Sequence, residues 1–170
     1  MNGFITQSGK KFSFLQLAWR LGDVQQHLPR ELGARAVTFF KESFRRSGWL
    51  DRSLEKWKPR RADSPKNKGR AILIKRGHLR GSIRIMSAGR DSVVVGSNLP
   101  YAAIHNYGES GTATVRTHSR RTSSGGKTTV RAHTRAFSMP QRQFMGESET
   151  LDKIIGKQIT DKIDSVFRID

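Results

Sequence analysis

Residues 93–108 read V-V-V-G-S-N-L-P-Y-A-A-I-H-N-Y-G, and that order leaves the backbone few choices. Val93, Val94 and Val95 are β-branched, with stiff side chains that pack well on a pleated, half-buried surface, so they predict a strand. Gly96 interrupts the run, and Ser97 or Asn98 offers a capping oxygen. Pro100 lacks an N–H at a point where a first helical turn needs none. Tyr101, Ala102, Ile104 and His105 then predict one or two helical turns, and Gly108 ends them. A strand, a cap, a short helix and a stop fill one short stretch, and the remaining elements must be arranged around it.

On the N-terminal side, Leu32, Ala36, Phe40 and Phe44 recur at every fourth position between Arg30 and Arg46, with Val37 and Phe39 beside them. This spacing predicts an amphipathic helix with an aromatic-rich buried stripe. Arg45, Arg46 and Gly48 suit its C-terminus. Leu21, Val24 and Leu28 also have helical spacing, and Pro29 either starts a new helix there or kinks a continuing one. Residues 1–20 hold Phe4, Phe12, Phe14 and Trp19 without clear caps, and the alternation Phe12-Ser13-Phe14 suggests a short strand or an arm that packs on a neighbour.

Residues 49–70 carry two tryptophans and Leu54, which tack the segment onto the domain. Pro59, Pro65 and Gly69 forbid long regular structure, and the basic residues read as a solvated loop. Residues 71–79 form an apolar run broken at Gly77. Residues 82–86 alternate apolar and polar, residues 89–91 turn, and residues 92–96 return, so an antiparallel hairpin is expected. Near the end, Ser148 or Glu147 caps a helix with an acidic first turn. Its predicted buried stripe is Leu151, Ile155, Ile159, Ile163 and Phe167, flanked by Ile154 and Val166.

The segment after Gly108 is of a different kind. It contains a near repeat, Val115-Arg116-Thr117-His118 and Val130-Arg131-Ala132-His133, separated by the turn signal S-S-G-G. Threonine and valine on both arms predict a long two-stranded hairpin over 111–136. Arg116, Arg120, Arg121, Lys127, Arg131 and Arg135 give it six cations and no acid. With hardly any apolar face, it is expected to project from the domain and face something negative. The formal net charge of +18 lies almost entirely in two windows: residues 41–80 hold fourteen Lys and Arg against four acids, and residues 111–142 hold seven against none. Such a field suits nucleic acid or an acidic protein surface.

The length of 170 residues suits a single domain over 1–170, with an N-terminal arm over 1–20. There is no cysteine, no apolar run of membrane-spanning length and no secretion-type leader, so a soluble protein without disulfides or a membrane is expected. Catalysis needs converging polar groups, and few are on offer. His105-Asn106 invites comparison with a histidine–asparagine nuclease motif, but Glu109 is its one nearby acid, so a nuclease is the remotest reading. Gly125-Gly126-Lys127-Thr128 imitates a phosphate loop, yet position 121, where the first glycine belongs, is arginine. No enzyme activity, cofactor, metal or small-molecule substrate is expected.

One ordered set of short patterns does point somewhere: F-F-K-E-S-F-R-R-S-G, W-K-P-R, K-G-R-A-I-L-I-K-R-G-H-L-R-G-S-I, the 93–108 stretch, and R-Q-F-M-G before a last helix. This order resembles the phage virion morphogenesis family of tail-completion and head–tail joining proteins. The matching positions include Phe44, Trp57, Gly77, Leu79, Gly96, Tyr101, Ala102, Ile104, His105, Gly108 and Phe144, all expected to serve the fold. Arg142-Gln143-Phe144 departs from the family's more usual arginine-proline-phenylalanine. The resemblance implies an α+β fold: an antiparallel sheet with a long N-terminal helix and a C-terminal helix, plus the projecting basic hairpin. It implies a structural protein of the virion neck or head-proximal tail end, assembled in the host cytoplasm. The implied partners are its own copies in a ring of hexameric or larger size, other neck, connector or tail proteins, and non-specific contact with genome DNA. It also implies that His105 hydrogen-bonds within the domain. A free-standing basic nucleic-acid-binding module is the rival reading, weakened by the lack of aromatic residues in 109–136 on which bases could stack.

Overall fold

The computed structural model describes residues 13–60, 69 and 71–168. Phe4, Phe12, Pro65 and the first twelve residues of the expected arm lie outside the described residues. The element order is α1 (Phe14–Arg46), β1 (Gly48–Leu50), β2 (Leu54–Lys56), α2 (His78–Ser82), β3 (Arg84–Ala88), β4 (Val93–Gly96), α3 (Ala102–Tyr107), β5 (Glu109–Val115), β6 (His118–Arg121), β7 (Lys127–Val130), β8 (His133–Met139) and α4 (Glu149–Phe167). Four two-stranded antiparallel ladders, β1–β2, β3–β4, β5–β8 and β6–β7, fall between two long helices in chain order, which makes the fold α+β.

Helix α1 is one continuous element of 33 residues, about 50 Å long at 1.5 Å per residue. Pro29 lies inside it rather than at a break. Ser13 caps its start, so Phe14 begins a helix and the strand suggested by Phe12-Ser13-Phe14 does not form. The alternation misleads because Leu15, Ala18, Trp19 and Gly22 share one helical face that nothing in a three-residue pattern reveals. At the other end Ser47 takes a left-handed conformation and its N–H bonds Ser43, after which Gly48 opens β1.

The core collects where the C-terminal half of α1 meets β1, α2, α3 and the start of α4. Phe39, Phe40, Phe44, Trp49, Trp57, Leu79, Ile83, Ala102, Phe144 and Leu151 are buried together. The Phe44 ring lies 5.5 Å edge-on from Trp57 and 5.2 Å from Phe144. Trp49 stacks on Phe40 at 6.1 Å and meets Phe39 edge-on at 5.9 Å. Such edge and offset contacts are the favoured ones for ring quadrupoles. Farther along α1, β3 and β4 cross at Gly33, where a Cβ would stand 2.5 Å from Val93 and 3.1 Å from Ile85. That crossing accounts for a glycine in a helix interior, which otherwise costs about 1 kcal/mol.

Helix α4 packs on α1 and is capped by Ser148, whose hydroxyl accepts from the Leu151 N–H and donates to the Leu50 carbonyl. The expected stripe is right at Leu151, Ile155 and Ile159, then departs: Ile163 and Phe167 are exposed, and Val166 is buried instead. Each four-residue step over-rotates by about 40°, so a strict fourfold series drifts off the contact face. Arg20 of α1 donates to the carbonyls of Val166 and Arg168, and Lys162 pairs with Glu31, which tie the far ends of the two helices. Among the described residues no helix is long and apolar enough to cross a membrane.

Candidate functional site

Residues 93–108 fold as a strand, a turn and a short helix. Ser97 serves the turn, accepting from Leu99 N–H, rather than capping α3, which starts after Tyr101 without a side-chain cap. Gly108 ends α3 at φ +74, with the backbone of Gln141 so close that a Cβ would stand 2.8 Å from its nitrogen. This glycine is the gate from which a β-ribbon leaves the domain, and β8 returns to the same point.

The ribbon is longer than the expected 111–136, since β5 and β8 already pair at Glu109 and Met139. From there to Arg121 it runs thirteen residues, roughly 40 Å at strand rise. Glu109 to Thr114 are all exposed, as are all four residues of β6. The near repeat marks an opening in the ladder. Val115 faces His133 and His118 faces Val130, so the two copies lie antiparallel across a local two-fold relation. Each histidine Nδ1 lies 2.9 Å from the carbonyl of the arginine two residues earlier, Arg116 for His118 and Arg131 for His133. Thr117 Oγ1 accepts from Ala132 N–H across the gap.

Both arms contribute the same number of residues to the opening, so the pairing register is kept through it. Within the β6–β7 ladder, strand alternation puts Arg121 and Lys127 on one face and Arg120 on the other, while Arg116 and Arg131 lie in the opening and Arg135 in the β5–β8 ladder. In β7 the exposed residues are Lys127 and Thr129, while Thr128 and Val130 are half-buried. Arg121 and Lys127 face each other directly beside the tip turn. Like charges in a cross-strand pair oppose the ladder they belong to.

The residues of the family pattern serve both the core and a cleft beside it. Phe44, Trp57, Leu79, Ala102 and Phe144 are core residues. Gly77, Leu79, Tyr101 and His105 line an open cleft of about 500 Å³ that the sequence did not suggest. Ile104 is half-buried, and Gly96 closes β4 against Met86. Arg60, Lys75, Arg76 and Arg142 complete the cleft wall, and no carboxylate lines it among the described residues. Arg142 is its floor: only 7% exposed, it donates from Nε to Lys58 O at 3.1 Å and from Nη2 to Pro59 O at 3.3 Å. Its main-chain N–H bonds the His105 carbonyl at 2.9 Å. Arg60 on the rim is pinned to Ala71 O at 2.7 Å, so it is not the freely solvated residue its loop composition suggested. The loop from Leu73 to Gly77 reaches the cleft through two left-handed residues, Leu73 at φ +58 and Gly77 at φ +76.

His105 stands edge-on to Tyr101 at 6.1 Å, with its Nδ1 buried and unpartnered among the described residues, so the side-chain hydrogen bond expected there is not made by that nitrogen. Burial, and then the neighbouring Arg142 charge, hold its pKa below the ordinary 6.5. Asn106 has a different task. Its Oδ1 accepts from Phe144 N–H at 2.9 Å and Met145 N–H at 3.0 Å, and its Nδ2 donates to Met145 O at 3.0 Å. The His-Asn pair is therefore split between a cleft wall and a backbone clamp. Among the described residues no group of three or more His, Asp or Glu is placed to hold a metal ion.

No curated protein and no solved structure matches this chain. The family model for the phage virion morphogenesis family matches residues 16–164, from the third residue of α1 to the last turn of α4, with the whole ribbon included. With fold, core pattern and ribbon root all inside that span, the chain belongs to the phage virion morphogenesis family.

Proposed function

We propose that this protein is a structural component of a tailed-phage virion that acts in tail completion or head–tail joining, as one subunit of an oligomeric ring. The observation that carries the reading is the ribbon. It is largely exposed on both arms, its strands pair only with each other among the described residues, and it sets Arg121 against Lys127 at its tip. Six cations on such an element stabilise nothing within the free chain, and their repulsion is relieved when a negative partner arrives. The strand-forming arms also suit addition to the sheet edge of a neighbouring protein, which explains threonine and valine as well as charge. Its place would be the neck or the head-proximal end of the tail, with a structural rather than catalytic role.

The test replaces Arg120, Arg121 and Lys127 with serine in the phage and follows assembly. Filled heads and normal tails that fail to join support docking onto a protein. Particles that assemble normally but fail to deliver DNA move the ribbon's role to the lumen, where phosphate contacts are sequence-blind and screened by salt. Fully infectious particles overturn both. A two-stranded ribbon also fits the major groove, which keeps a nucleic-acid-binding module as the second reading. Tight, salt-sensitive binding of a monomer to duplex DNA would favour it.

A further inference from the structure

We propose that the cleft at the ribbon root is a binding site for a carboxylate-bearing segment of a partner protein: an acidic peptide loop whose acid enters the recess while its apolar neighbours rest on the wall. This goes beyond the ribbon's role, and rests on the virion reading only for who the partner is.

The cleft combines two surfaces rarely found together on a solvated face. One side is apolar, from Leu73, Leu79 and the Tyr101 ring. The other is cationic, from Arg60, Lys75, Arg76 and Arg142, with no acid among the described residues to neutralise it. Arg142 is the informative member. Two of its donors are committed to the carbonyls of Lys58 and Pro59, which fix the guanidinium in place. A guanidinium has five N–H donors, so a prearranged fork remains for an incoming oxyanion. Beside it the buried His105 Nδ1 has no partner among the described residues. A fixed cation already stripped of water binds a carboxylate at little further ordering cost, and such charge-assisted bonds are the strong ones.

The shape selects the class of ligand. About 500 Å³ is the scale of a small-ligand or peptide-anchor pocket. The phosphates of a duplex lie on a convex backbone flanked by sugars and could meet the rim lysine and arginines, but not a floor that is 7% exposed. A glutamate or aspartate carries its carboxylate on a short stem that reaches such a floor. Continuity supports a protein partner as well: His105 and Arg142 are joined by a main-chain hydrogen bond immediately inside Gly108 and Gln141, where the ribbon enters and leaves. A protein seated along the ribbon would bring its next loop to this recess.

The experiment uses the full chain, labelled for observation of the His105 ring by NMR. The probe is a blocked hexapeptide with two glutamates between leucines; the controls are its glutamine counterpart, inorganic phosphate and a short DNA duplex. The glutamate peptide is expected to shift the His105 signals and raise its pKa, since a bound carboxylate offsets both burial and Arg142. Lys75→Ser with Arg76→Ser, two exposed loop positions, is expected to weaken the peptide about tenfold, the loss of one charge-assisted bond, with an unchanged thermal midpoint. Arg120→Ser/Arg121→Ser/Lys127→Ser should bind the peptide as the native chain does. Equal binding of the glutamine peptide, or full affinity in the Lys75/Arg76 variant, overturns the proposal. So does a His105 response to phosphate or duplex alone, which reassigns the cleft to phosphate. Peptide binding abolished by the ribbon variant assigns the response to the ribbon and overturns the cleft. Failure of the peptide leaves the ribbon's joining role to be decided by the assembly phenotype, so the two readings fall separately.

Discussion

Asn106 does more for this structure than its place beside the exposed Tyr107 suggests. It closes three hydrogen bonds onto the 144–145 backbone and is 3% exposed, which seats Phe144 against Phe44. Replacing it with alanine leaves one buried N–H, one part-buried N–H and one part-buried carbonyl without the asparagine partner, so Asn106→Ala should lose roughly 3 kcal/mol in urea unfolding. Asn106→Asp keeps the acceptor and loses the donor, and should fall between; a loss below about 1 kcal/mol for alanine would mean that water replaces the clamp. The His-Asn dipeptide in the sequence looked like chemistry because sequence shows adjacency and not direction. On a short helix, consecutive residues point about 100° apart, and here one enters the cleft and the other the core. His105 makes its own prediction. Its folded pKa lies below 6.5 through burial and Arg142, so the unfolded chain takes up the proton first. Its share of stability is therefore complete above the mid-sixes and is lost as pH falls from there toward the folded pKa. Urea midpoints measured from about pH 8 to about pH 5 should decline less in His105→Gln than in the native chain, and an NMR titration should place the His105 midpoint below 6.5. A midpoint above 6.5 would contradict the cleft geometry.

At the scale of elements, the pattern in the sequence was most readable where a single periodicity had a single cause. The expected 82–96 hairpin forms with its first strand shifted to 84–88, since Ser82 ends α2 instead. The 30–46 stripe and the two arms of the ribbon form as spaced, because alternation and fourfold spacing each answer to one buried face. Pro29 could not be decided locally: the helix passes through it since Gln25 bonds Asp91 and Arg90 on the 89–91 turn while Gly33 seats β4, and these contacts are distant in sequence. The cleft was illegible for the same reason, its cations coming from residues 60, 75, 76 and 142. The near repeat was visible, but its meaning as an antiparallel opening in one ribbon needed the register. That opening and the Arg121–Lys127 pair predict the outcome of proteolysis. Brief trypsin treatment should cut first at Arg120, Arg121 or Lys127, since exposed strands with few apolar contacts open at low cost. The two fragments should stay together, because Phe144 and α4 remain packed on the Phe44 side of the core. First cleavage within Arg30–Arg46 would show that the ribbon is the better protected element.

The whole molecule is a small core with two long extensions, the ribbon and the N-terminal half of α1. The second carries no concentration of charge. Leu15 and Trp19 are 83% and 82% exposed, on the face they share with Ala18 and Gly22. Large apolar side chains clustered in this way on a monomer mark a contact surface. The ribbon's charge and the apolar surface of α1 thus sit on different elements, which suits a subunit that meets an acidic partner through the first and its own copies through the second. The helix tests this directly, because its exposed residues contribute little to the folded monomer. Light scattering over a range of protein concentration should show association that persists at moderate salt, as apolar contacts do and charged ones do not. Leu15→Ser with Trp19→Ser should shift the mass toward monomer while the thermal midpoint stays within a degree or so of the native value at low concentration. The ribbon variant Arg120→Ser/Arg121→Ser/Lys127→Ser should leave self-association unchanged. A strictly monomeric native chain at every concentration and salt would count heavily against a ring. Association abolished by the ribbon variant but not by the helix variant would mean that copies meet through the ribbon, leaving the face of Leu15 and Trp19 without the role its exposure suggests.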